Sequence, residues 1–316
     1  MSNKIPLLSI VGPTGIGKTE TSISLAENLG GEIISADSMQ IYKYMDIGTA
    51  KITKEEMKGI PHYLIDIVYP DEEFTVSDFK ESATKYINNI YNRGNLPIIV
   101  GGTGLYVNSL VYDLNFTNVA PNNEFREKYE LIADKYGNGV IYEELRSIDP
   151  KSAKRIHVND RKRIIRALEI NYVTKKPMSV YYKDFRRYND DFDVIMIGLT
   201  NKREDLYKRI NYRVDRMIEK GLIEEVKGLL DMGYTDDLNS LQALGYKEII
   251  LYLKNEITLD EAIDLIKRST RKFAKRQLTW FRRDNRIKWI DVGCFENNHE
   301  VSDYIFRYSK DILNKN

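Results

Sequence analysis

The chain has 316 residues, 42% of them hydrophobic and 30% charged, which is enough for a full core and one or two domains. Its net charge of +1 excludes a uniformly basic or acidic protein, and its single cysteine, Cys294, excludes an intrachain disulfide. The three histidines are too widely spaced for a zinc site. Because no signal peptide, membrane-length apolar segment or sign of an obligate oligomer is present, we expect a cytoplasmic monomer without membrane contact.

The first element in chain order is an apolar strand over residues 5–11 that leads into a glycine-rich loop. Residues 12–19, GPTGIGKT, match the phosphate-binding pattern G-x-x-x-x-G-K-[ST]. Glycines let backbone N–H groups approach a phosphate, and a helix beginning near Lys18 adds the positive end of its dipole. Lys18 can place charge on phosphate oxygens, and the Thr19 hydroxyl is the usual ligand of a phosphate-bound Mg²⁺. The predicted di- or triphosphate site, with Mg²⁺ as cofactor, consists of Gly12, Pro13, Thr14, Gly15, Ile16, Gly17, Lys18 and Thr19.

Two later strands also end in polar or glycine-rich residues. Residues 32–36 form a predicted strand that leads into Asp37, and residues 97–100 form one that leads into Gly101-Gly102-Thr103. Sites in parallel sheets lie at the carboxyl ends of the strands, so Asp37 and Thr103 should face the same crevice as the glycine-rich loop. For Asp37 the alternative is a structural role as a helix cap or turn residue.

Further strands are predicted over residues 61–68, 194–199 and 287–292, and helices lie between them. This alternation predicts an α/β fold in which a P-loop NTPase-like parallel sheet is flanked by helices. Residues 113–193 lack strand patterns and are rich in charge. We therefore predict that they form a mostly helical insertion domain, inside a core formed by residues 1–112 and 194–316.

Basic residues are concentrated in two parts of the chain. Between Lys154 and Arg187, eleven basic residues accompany three acidic ones, and Tyr181, Tyr182 and Phe185 are interleaved with them. This combination favours nucleic-acid contact over the alternative of a solvated surface. A predicted helix over residues 259–282 carries a basic arc, as a phosphate-backbone track requires. The apolar stripe predicted on its other side is Leu259, Ile263, Ile266, Thr270, Phe273 and Trp280.

A phosphate loop combined with basic helices is compatible with several functions. One is a small-molecule or nucleotide kinase that uses ATP, a second is a nucleic-acid-binding ATPase, and a third is a transferase whose phosphate is the leaving group. Residues 63–66, YLID, make a poor Walker-B strand because apolar residues continue past Asp66. On a predicted helix over residues 203–220, Arg209 and Arg213 lie one turn apart and could share an anionic ligand, or could be surface charge.

Eight ordered motifs over nearly the whole chain resemble the tRNA dimethylallyltransferase (tRNA isopentenyltransferase) family, bacterial type. They are GPTGIGKT (12–19), ISADSMQIY (34–42), IGTAK (47–51), HYLID (62–66), VGGTGLY (100–106), NDRKRIIRALE (159–169), LGYKE (244–248) and TRKFAKRQLTWFRR (270–283). The resemblance implies transfer of a dimethylallyl group from dimethylallyl diphosphate to N6 of the adenosine 3′-adjacent to the anticodon in tRNA, with release of diphosphate. An ATP-using kinase, an enzyme that prenylates free AMP and an RNA-binding module with a vestigial nucleotide site are the alternatives.

The resemblance also implies roles for individual residues. Asp37 accepts the proton of the adenine amine, Thr103 orients that amine, and Lys18 and Arg213 hold the diphosphate. Two positions depart from the family, which often has Gln at position 162 and Ala at position 15, but neither change removes a needed group. The implied tRNA contacts are Asp37, Ser38, Met39, Gln40, Thr103, Arg126, Lys162, Arg163, Arg166, Gln242, Gly245, Tyr246 and Lys247.

Overall fold

The computed structural model describes residues 4–114, 119–181 and 187–313 of the chain. The predicted aromatic contacts Tyr182 and Phe185 therefore lie outside the described residues. The described part divides into two compact units, each with its own buried core. In the described helices no segment is both long enough and apolar enough to cross a membrane.

The larger unit combines the described residues up to Val111 with those from Asn189 onward, and the smaller unit lies between Tyr112 and Tyr188. The strands are β1 Ile5–Val11, β2 Gly31–Ser35, β3 His62–Tyr63, β4 Leu96–Gly101, β5 Phe192–Thr200 and β6 Lys288–Asp291. The helices of the larger unit that precede the smaller one are α1 Lys18–Leu29, α2 Val76–Asn92 and α3 Gly104–Val111. The helices of the smaller unit are α4 Asn123–Tyr136, α5 Asn138–Ile148, α6 Pro150–Ala153 and α7 Arg161–Thr174. The remaining helices of the larger unit are α8 Arg203–Glu219, α9 Leu222–Asp231, α10 Tyr246–Leu253, α11 Leu259–Phe281 and α12 Asn298–Leu313.

All strand pairs in the sheet are parallel, and the strand order is β3-β2-β4-β1-β5-β6. Strand β1 lies between β4 and β5, and its side chains Leu7, Leu8 and Ile10 are completely buried. A strand covered on both faces reads as a continuous apolar run, which is why residues 5–11 were recognisable in the sequence. The observed sheet with flanking helices confirms the predicted α/β fold class.

The strand predicted over residues 61–68 is wrong for most of its length. Only His62–Tyr63 pairs with β2, and the chain then turns sharply. Leu64 and Asp66 adopt φ values of 62° and 55°, in the left-handed region that a strand cannot use. Lys51 holds this turn in place, because its ammonium group lies 2.5 Å from the Asp66 carboxylate. The apolar residues of the segment are therefore packed in a turn rather than in an extended strand.

The smaller unit is helical in its described part and buries two carboxylates, those of Asp149 and Glu169. Glu169 on α7 is completely buried and accepts hydrogen bonds from Arg126, Arg166 and the backbone of Asn122. Burial opposes its negative charge, but these hydrogen bonds outweigh that effect and hold the pKa of Glu169 below its usual value. Side chains of α5 and α7, including Leu145 and Ile164, form the apolar core around it.

Candidate active site

Three loops at the carboxyl edge of the sheet contain the main predicted site residues. The glycine-rich loop follows β1, Asp37 follows β2 and Thr103 follows β4, which lies between the other two strands. The two glycine turns approach closely, since a Cβ atom added at Gly102 would lie only 3.6 Å from the carbonyl oxygen of Gly12. The structure thus places these residues along one edge of the sheet, as the sequence predicted for parallel strands.

The glycine-rich loop adopts backbone conformations that other residues rarely use. Gly15 and Gly17 have φ values of +78° and +104°, and Gly17 caps the amino end of α1. The ammonium group of Lys18 folds back over the loop and donates hydrogen bonds to the carbonyl oxygens of Gly12 and Pro13, both at 2.9 Å. The loop, the lysine and the positive end of α1 therefore form a cradle suited to an anion.

Lys18, Asp37 and Arg213 interact electrostatically with one another within this edge of the sheet. Burial lowers the pKa of Lys18 to about 8. The attraction of the Asp37 carboxylate opposes this decrease, whereas repulsion from Arg213 adds to it. Burial also lowers the pKa of Arg213, which the Asp37 carboxylate opposes. Two half-buried cations beside one carboxylate leave the site with excess positive charge. A diphosphate, which carries several negative charges, would compensate that excess.

Asp37 and Thr103 each accept a hydrogen bond from a backbone N–H group of the loop after β2. The Asp37 Oδ1 atom accepts a hydrogen bond of 2.9 Å from the backbone of Met39, which is the turn role that the sequence left open. Within the described residues no hydrogen bond engages its other oxygen, Oδ2. The Thr103 hydroxyl accepts a bond of 3.0 Å from the backbone N–H of Ser38. Asp37 is therefore both a turn residue and a carboxylate with one oxygen available to a substrate.

Gln40 contacts the protein rather than an open surface. Its side-chain oxygen accepts from Ser35, and its amide nitrogen lies 3.3 Å from the carbonyl oxygens of Thr49 and Ala50. Arg213 also reaches the Thr49 carbonyl, at 3.5 Å. Gln40 thus fixes the turn at residues 47–51 beside Arg213, and its contact with the substrate base stays a prediction.

The same turn is held from its other side by Glu225 on α9. The Glu225 carboxylate accepts hydrogen bonds from the backbone N–H groups of Asp46, Ile47 and Gly48 at 2.7–3.0 Å, and from the Tyr246 hydroxyl at 2.6 Å. Tyr246 is completely buried, and a Cβ atom at Gly48 would lie 2.4 Å from its ring. The prediction that the Tyr246 side chain contacts tRNA is therefore wrong, because that side chain packs under the turn.

Replacing Glu225 with alanine is expected to lower the free energy of unfolding by about 2–4 kcal/mol, because three backbone donors and one buried hydroxyl lose their acceptor. Denaturant unfolding monitored by circular dichroism measures this loss. Glu224→Ala is the matched control, since Glu224 precedes Glu225 on α9 and is exposed. Equal unfolding midpoints for the two variants would show that the carboxylate does not hold the turn.

The predicted tRNA contacts of the smaller unit fall into two groups. Arg126 and Arg166 both form ion pairs with Glu169, and this carboxylate compensates part of their positive charge inside the unit. Lys162 and Arg163 are exposed in the first turn of α7, and Arg163 forms a surface ion pair with Asp160. In the larger unit, Gln242 is exposed, Lys247 is half-buried and Gly245 is buried.

One hydroxyl at the loop fits a magnesium ligand. Thr19 is exposed in the first turn of α1, and its hydroxyl is the oxygen type that Mg²⁺ prefers. Over the ranges that the structure describes, no group of three or more His, Cys, Asp or Glu side chains is placed to hold a metal ion. A magnesium ion at Thr19 would therefore take its other ligands from bound phosphate and water, as is usual for this ion.

A cavity of about 740 Å³ adjoins the cradle and includes Thr19 and Arg213 in its wall. Its lining combines apolar side chains with charged ones of both signs, and the acidic ones are Glu20, Glu27, Asp46 and Glu56. The apolar residues include Ile23, Ile47, Ile52 and Met217, and the cationic ones include Lys58, Arg216 and Lys220. The wall therefore offers apolar surface to a short hydrocarbon group, and the selection of an anion rests on the cradle itself rather than on this nearly charge-balanced cavity.

Gln277 on α11 was missed as a site residue by sequence reasoning. It is buried, its Oε1 atom accepts a hydrogen bond of 2.9 Å from Thr14, and its Nε2 atom donates one of 3.0 Å to Gly102. The apolar stripe predicted for this helix is also displaced. Its fully buried positions are Ala262, Ile266, Ala274, Gln277 and Phe281. The available signal was the spacing of Gln277 with Ala274 and Phe281, which places it on the buried face.

The chain is similar to known enzymes over almost its entire length. The model of the IPP transferase family matches residues 40–284. The tRNA dimethylallyltransferase of Thermoanaerobacter sp. (strain X514) is 54% identical over 98% of this chain and 99% of its own length. The protein of the same name from Alkaliphilus oremlandii (strain OhILAs) is 52% identical over 98% of both chains.

Solved structures show the same relationship. The full-length tRNA isopentenylpyrophosphate transferase from Bacillus halodurans has 46% sequence identity and a TM-score of 0.72, over 98% of this chain and 100% of that chain. A eukaryotic dimethylallyltransferase acting on tRNA has 30% identity and a TM-score of 0.81, over 99% of this chain and 80% of that chain.

Proposed function

Because the chain belongs to the tRNA dimethylallyltransferase family, we propose that it transfers the dimethylallyl group of dimethylallyl diphosphate to N6 of the adenosine 3′-adjacent to the anticodon. It is a transferase that prenylates adenosine in tRNA, and the relatives favour this function over the kinase. The observation that carries the detailed proposal is the position of Asp37 beside the two cations of the phosphate cradle.

The cradle is assigned to the diphosphate leaving group. As the bond between the prenyl carbon and the diphosphate oxygen breaks, negative charge grows on that oxygen. Lys18, Arg213 and the backbone N–H groups of the glycine-rich loop are positioned to stabilise this charge. A Mg²⁺ ion bound by the Thr19 hydroxyl and the phosphate oxygens would add positive charge at the same place. The apolar part of the adjoining cavity supports a donor that carries a hydrocarbon group.

Asp37 is assigned to the proton of the attacking amine. The nitrogen of an adenine amine is a poor nucleophile and loses a proton only as its bond to carbon forms. We assign that proton to Asp37 Oδ2, because Oδ1 is already occupied by the backbone of Met39. Thr103, whose hydroxyl interacts with Ser38, orients the amine from the neighbouring loop. The prenyl carbon thus exchanges an oxygen for a nitrogen, and diphosphate leaves.

The tRNA is proposed to contact several exposed basic surfaces. Lys162 and Arg163 supply charge from the smaller unit, and Arg126 and Arg166 support them through their pairing with Glu169. In the larger unit, the exposed basic residues of α11, together with the exposed Gln242 and the half-buried Lys247, are proposed to contact the phosphate backbone. The target adenosine must leave the anticodon loop stack to reach the crevice. We propose a cytoplasmic monomer.

Mass spectrometry of tRNA tests the proposed function. Unmodified tRNA is incubated with the protein, Mg²⁺ and dimethylallyl diphosphate, digested to nucleosides and analysed. We expect a prenylated adenosine at the position 3′ of the anticodon. Omitting the donor, or replacing it with ATP, should give no such product. Unmodified tRNA in the complete reaction, together with prenylated AMP when AMP replaces tRNA, would instead indicate an enzyme that acts on the free nucleotide.

The pKa of Lys18 predicts how donor affinity depends on pH. In the free protein this pKa is about 8, and a bound diphosphate favours the charged ammonium group. Below pH 8 the lysine is already charged, so donor binding takes up no proton there. Above pH 8 donor binding requires uptake of a proton, and the dissociation constant of the donor should rise by up to about tenfold per pH unit. Isothermal titration calorimetry with an unreactive donor analogue measures this. In Lys18→Met the dissociation constant should not show this rise above pH 8. The same pH dependence in both proteins would contradict the assignment of Lys18 to diphosphate binding.

A further inference from the structure

We propose that Gln277 is a positioning residue that fixes the spacing between the phosphate cradle and the turn after β4 that carries Thr103. The inference deepens the proposed transfer reaction and rests on it. Gln277 lies on α11 and is only 6% exposed. Its two polar atoms each contact a different glycine turn of the site, so one side chain connects the loops assigned to the two substrates.

The first connection is to the phosphate cradle. The backbone N–H of Thr14 donates to Gln277 Oε1 at 2.9 Å, across 263 residues of sequence. This bond orients the middle of the glycine-rich loop and removes the Thr14 N–H from those available to phosphate. The cradle for the diphosphate is therefore formed by the N–H groups that follow Thr14, up to the start of α1.

The second connection is to the turn that carries Thr103. Gln277 Nε2 donates to the carbonyl oxygen of Gly102 at 3.0 Å, and a Cβ atom at Gly102 would lie 2.1 Å from that nitrogen. The neighbouring Trp280 presses on the same turn, since a Cβ atom at Gly104 would lie 2.2 Å from its ring. Helix α11 thus fixes the turn next to Thr103 by direct packing and by hydrogen bonding.

A bridge of this kind acts on the reaction through distance. The diphosphate lies on one turn and the amine on the other, so the separation between the turns sets the separation between the carbon–oxygen bond and the attacking nitrogen. A displacement of about 1 Å in a reacting pair costs on the order of 10²-fold in rate. Gln277 is only 6% exposed, and both of its polar atoms are turned toward the two loops rather than toward a substrate. Its role is therefore positioning rather than contact with the substrates.

Gln277→Met tests the inference because methionine has similar length and volume but neither hydrogen bond. We expect the single-turnover rate of prenyl transfer to fall by about 10- to 100-fold. The dissociation constant for tRNA should remain within about twofold of the wild-type value, because the exposed surface of α11 is unchanged. Rapid-quench kinetics with enzyme in excess, filter binding with tRNA and thermal unfolding together separate these effects.

Two further variants make the result decisive. Phe281→Leu, one turn later on the buried face of α11, should lower stability but leave the single-turnover rate within about twofold. If Gln277→Met does not fold, the double variant Gln277→Ala with Gly102→Ala is used. Its added methyl group enters the space that the amide vacates but restores no hydrogen bond. We expect it to lose the chemical step as Gln277→Met does.

The outcomes distinguish this inference from the proposed function. A wild-type protein that does not prenylate tRNA would overturn the function itself. An active wild-type protein with an unimpaired single-turnover rate in a folded Gln277 variant would overturn only the positioning role. Loss of tRNA affinity in proportion to the loss of rate would also overturn it, because the side chain would then act on tRNA docking.

Discussion

Replacing Asp37 with asparagine is expected to reduce the single-turnover rate of prenyl transfer by about 10³-fold, since a positioned general base contributes on the order of 10²–10⁴-fold. Asparagine can still accept the hydrogen bond from Met39, so the turn after β2 should keep its shape. It cannot accept a proton at the position of Oδ2. We therefore expect the rate to fall while the affinity for tRNA and the unfolding midpoint remain close to those of the wild type.

Rapid-quench kinetics at saturating donor and tRNA measure this effect directly. Asp71→Asn is a suitable control, because Asp71 is an exposed aspartate of the same unit and lies outside the candidate site. It should leave the rate unchanged. An Asp37→Asn enzyme with a rate within about threefold of the wild type would exclude the assigned proton acceptor. Loss of tRNA binding with an unchanged rate constant for bound substrate would contradict the assignment as well.

Replacing Lys18 with methionine should have the second largest effect. The ammonium group neutralises charge that increases as the diphosphate leaves, so its loss should lower kcat/KM for the donor by about 10²–10³-fold. Lys18→Arg should restore little activity. In the free protein the lysine fits between the carbonyl oxygens of Gly12 and Pro13, where a planar guanidinium group is larger and differently shaped.

Steady-state kinetics with varied donor, combined with calorimetric binding of inorganic diphosphate, measure the loss. Lys202→Met is the control, because this lysine is exposed and lies at the start of α8, outside the cradle. Diphosphate affinity that is unchanged in Lys18→Met would indicate that the leaving group binds elsewhere. A comparable loss in Lys202→Met would show that general surface charge, rather than the cradle, determines donor binding.

The sequence was sufficient for those parts of the site that local patterns encode. The glycine-rich loop, the short apolar strands and the polar residues at their ends are consecutive in the chain. The rule that parallel strands share a carboxyl edge then placed Asp37 and Thr103 beside the loop without any coordinates. The structure adds the capping box of Thr75 and Asp78, which begins helix α2.

The remaining features depend on contacts between residues far apart in the chain. Gln277 interacts with Thr14 across 263 residues, and Glu225 interacts with the turn after Met45 across 177–179 residues. Helical spacing can place Gln277 on a buried face, but no local pattern identifies the distant backbone groups that such a side chain binds. Tyr246 illustrates the converse error, because the family resemblance implied a contact with tRNA and its side chain is instead buried.

The overlong strand at residues 61–68 has a related cause. Its apolar alternation is typical of a strand, but Leu64 and Asp66 adopt left-handed conformations that Lys51 and the backbone of Gln40 stabilise. Tertiary contacts determined the backbone there, and intrinsic preference did not. The position of the buried face on α11 was misassigned for the same reason, since hydrogen bonding to two glycine turns makes a glutamine suitable for burial.

The most direct test of the account is a structure of the protein with an anticodon stem-loop and an unreactive thiolo analogue of dimethylallyl diphosphate. We expect the diphosphate in the loop of residues 12–19, in contact with Lys18 and Arg213. We also expect the target N6 atom within about 3.2 Å of Asp37 Oδ2, the reach of a hydrogen bond. A diphosphate bound outside that loop, or an adenine amine beyond hydrogen-bond distance of Asp37 with the prenyl carbon in place, would contradict it.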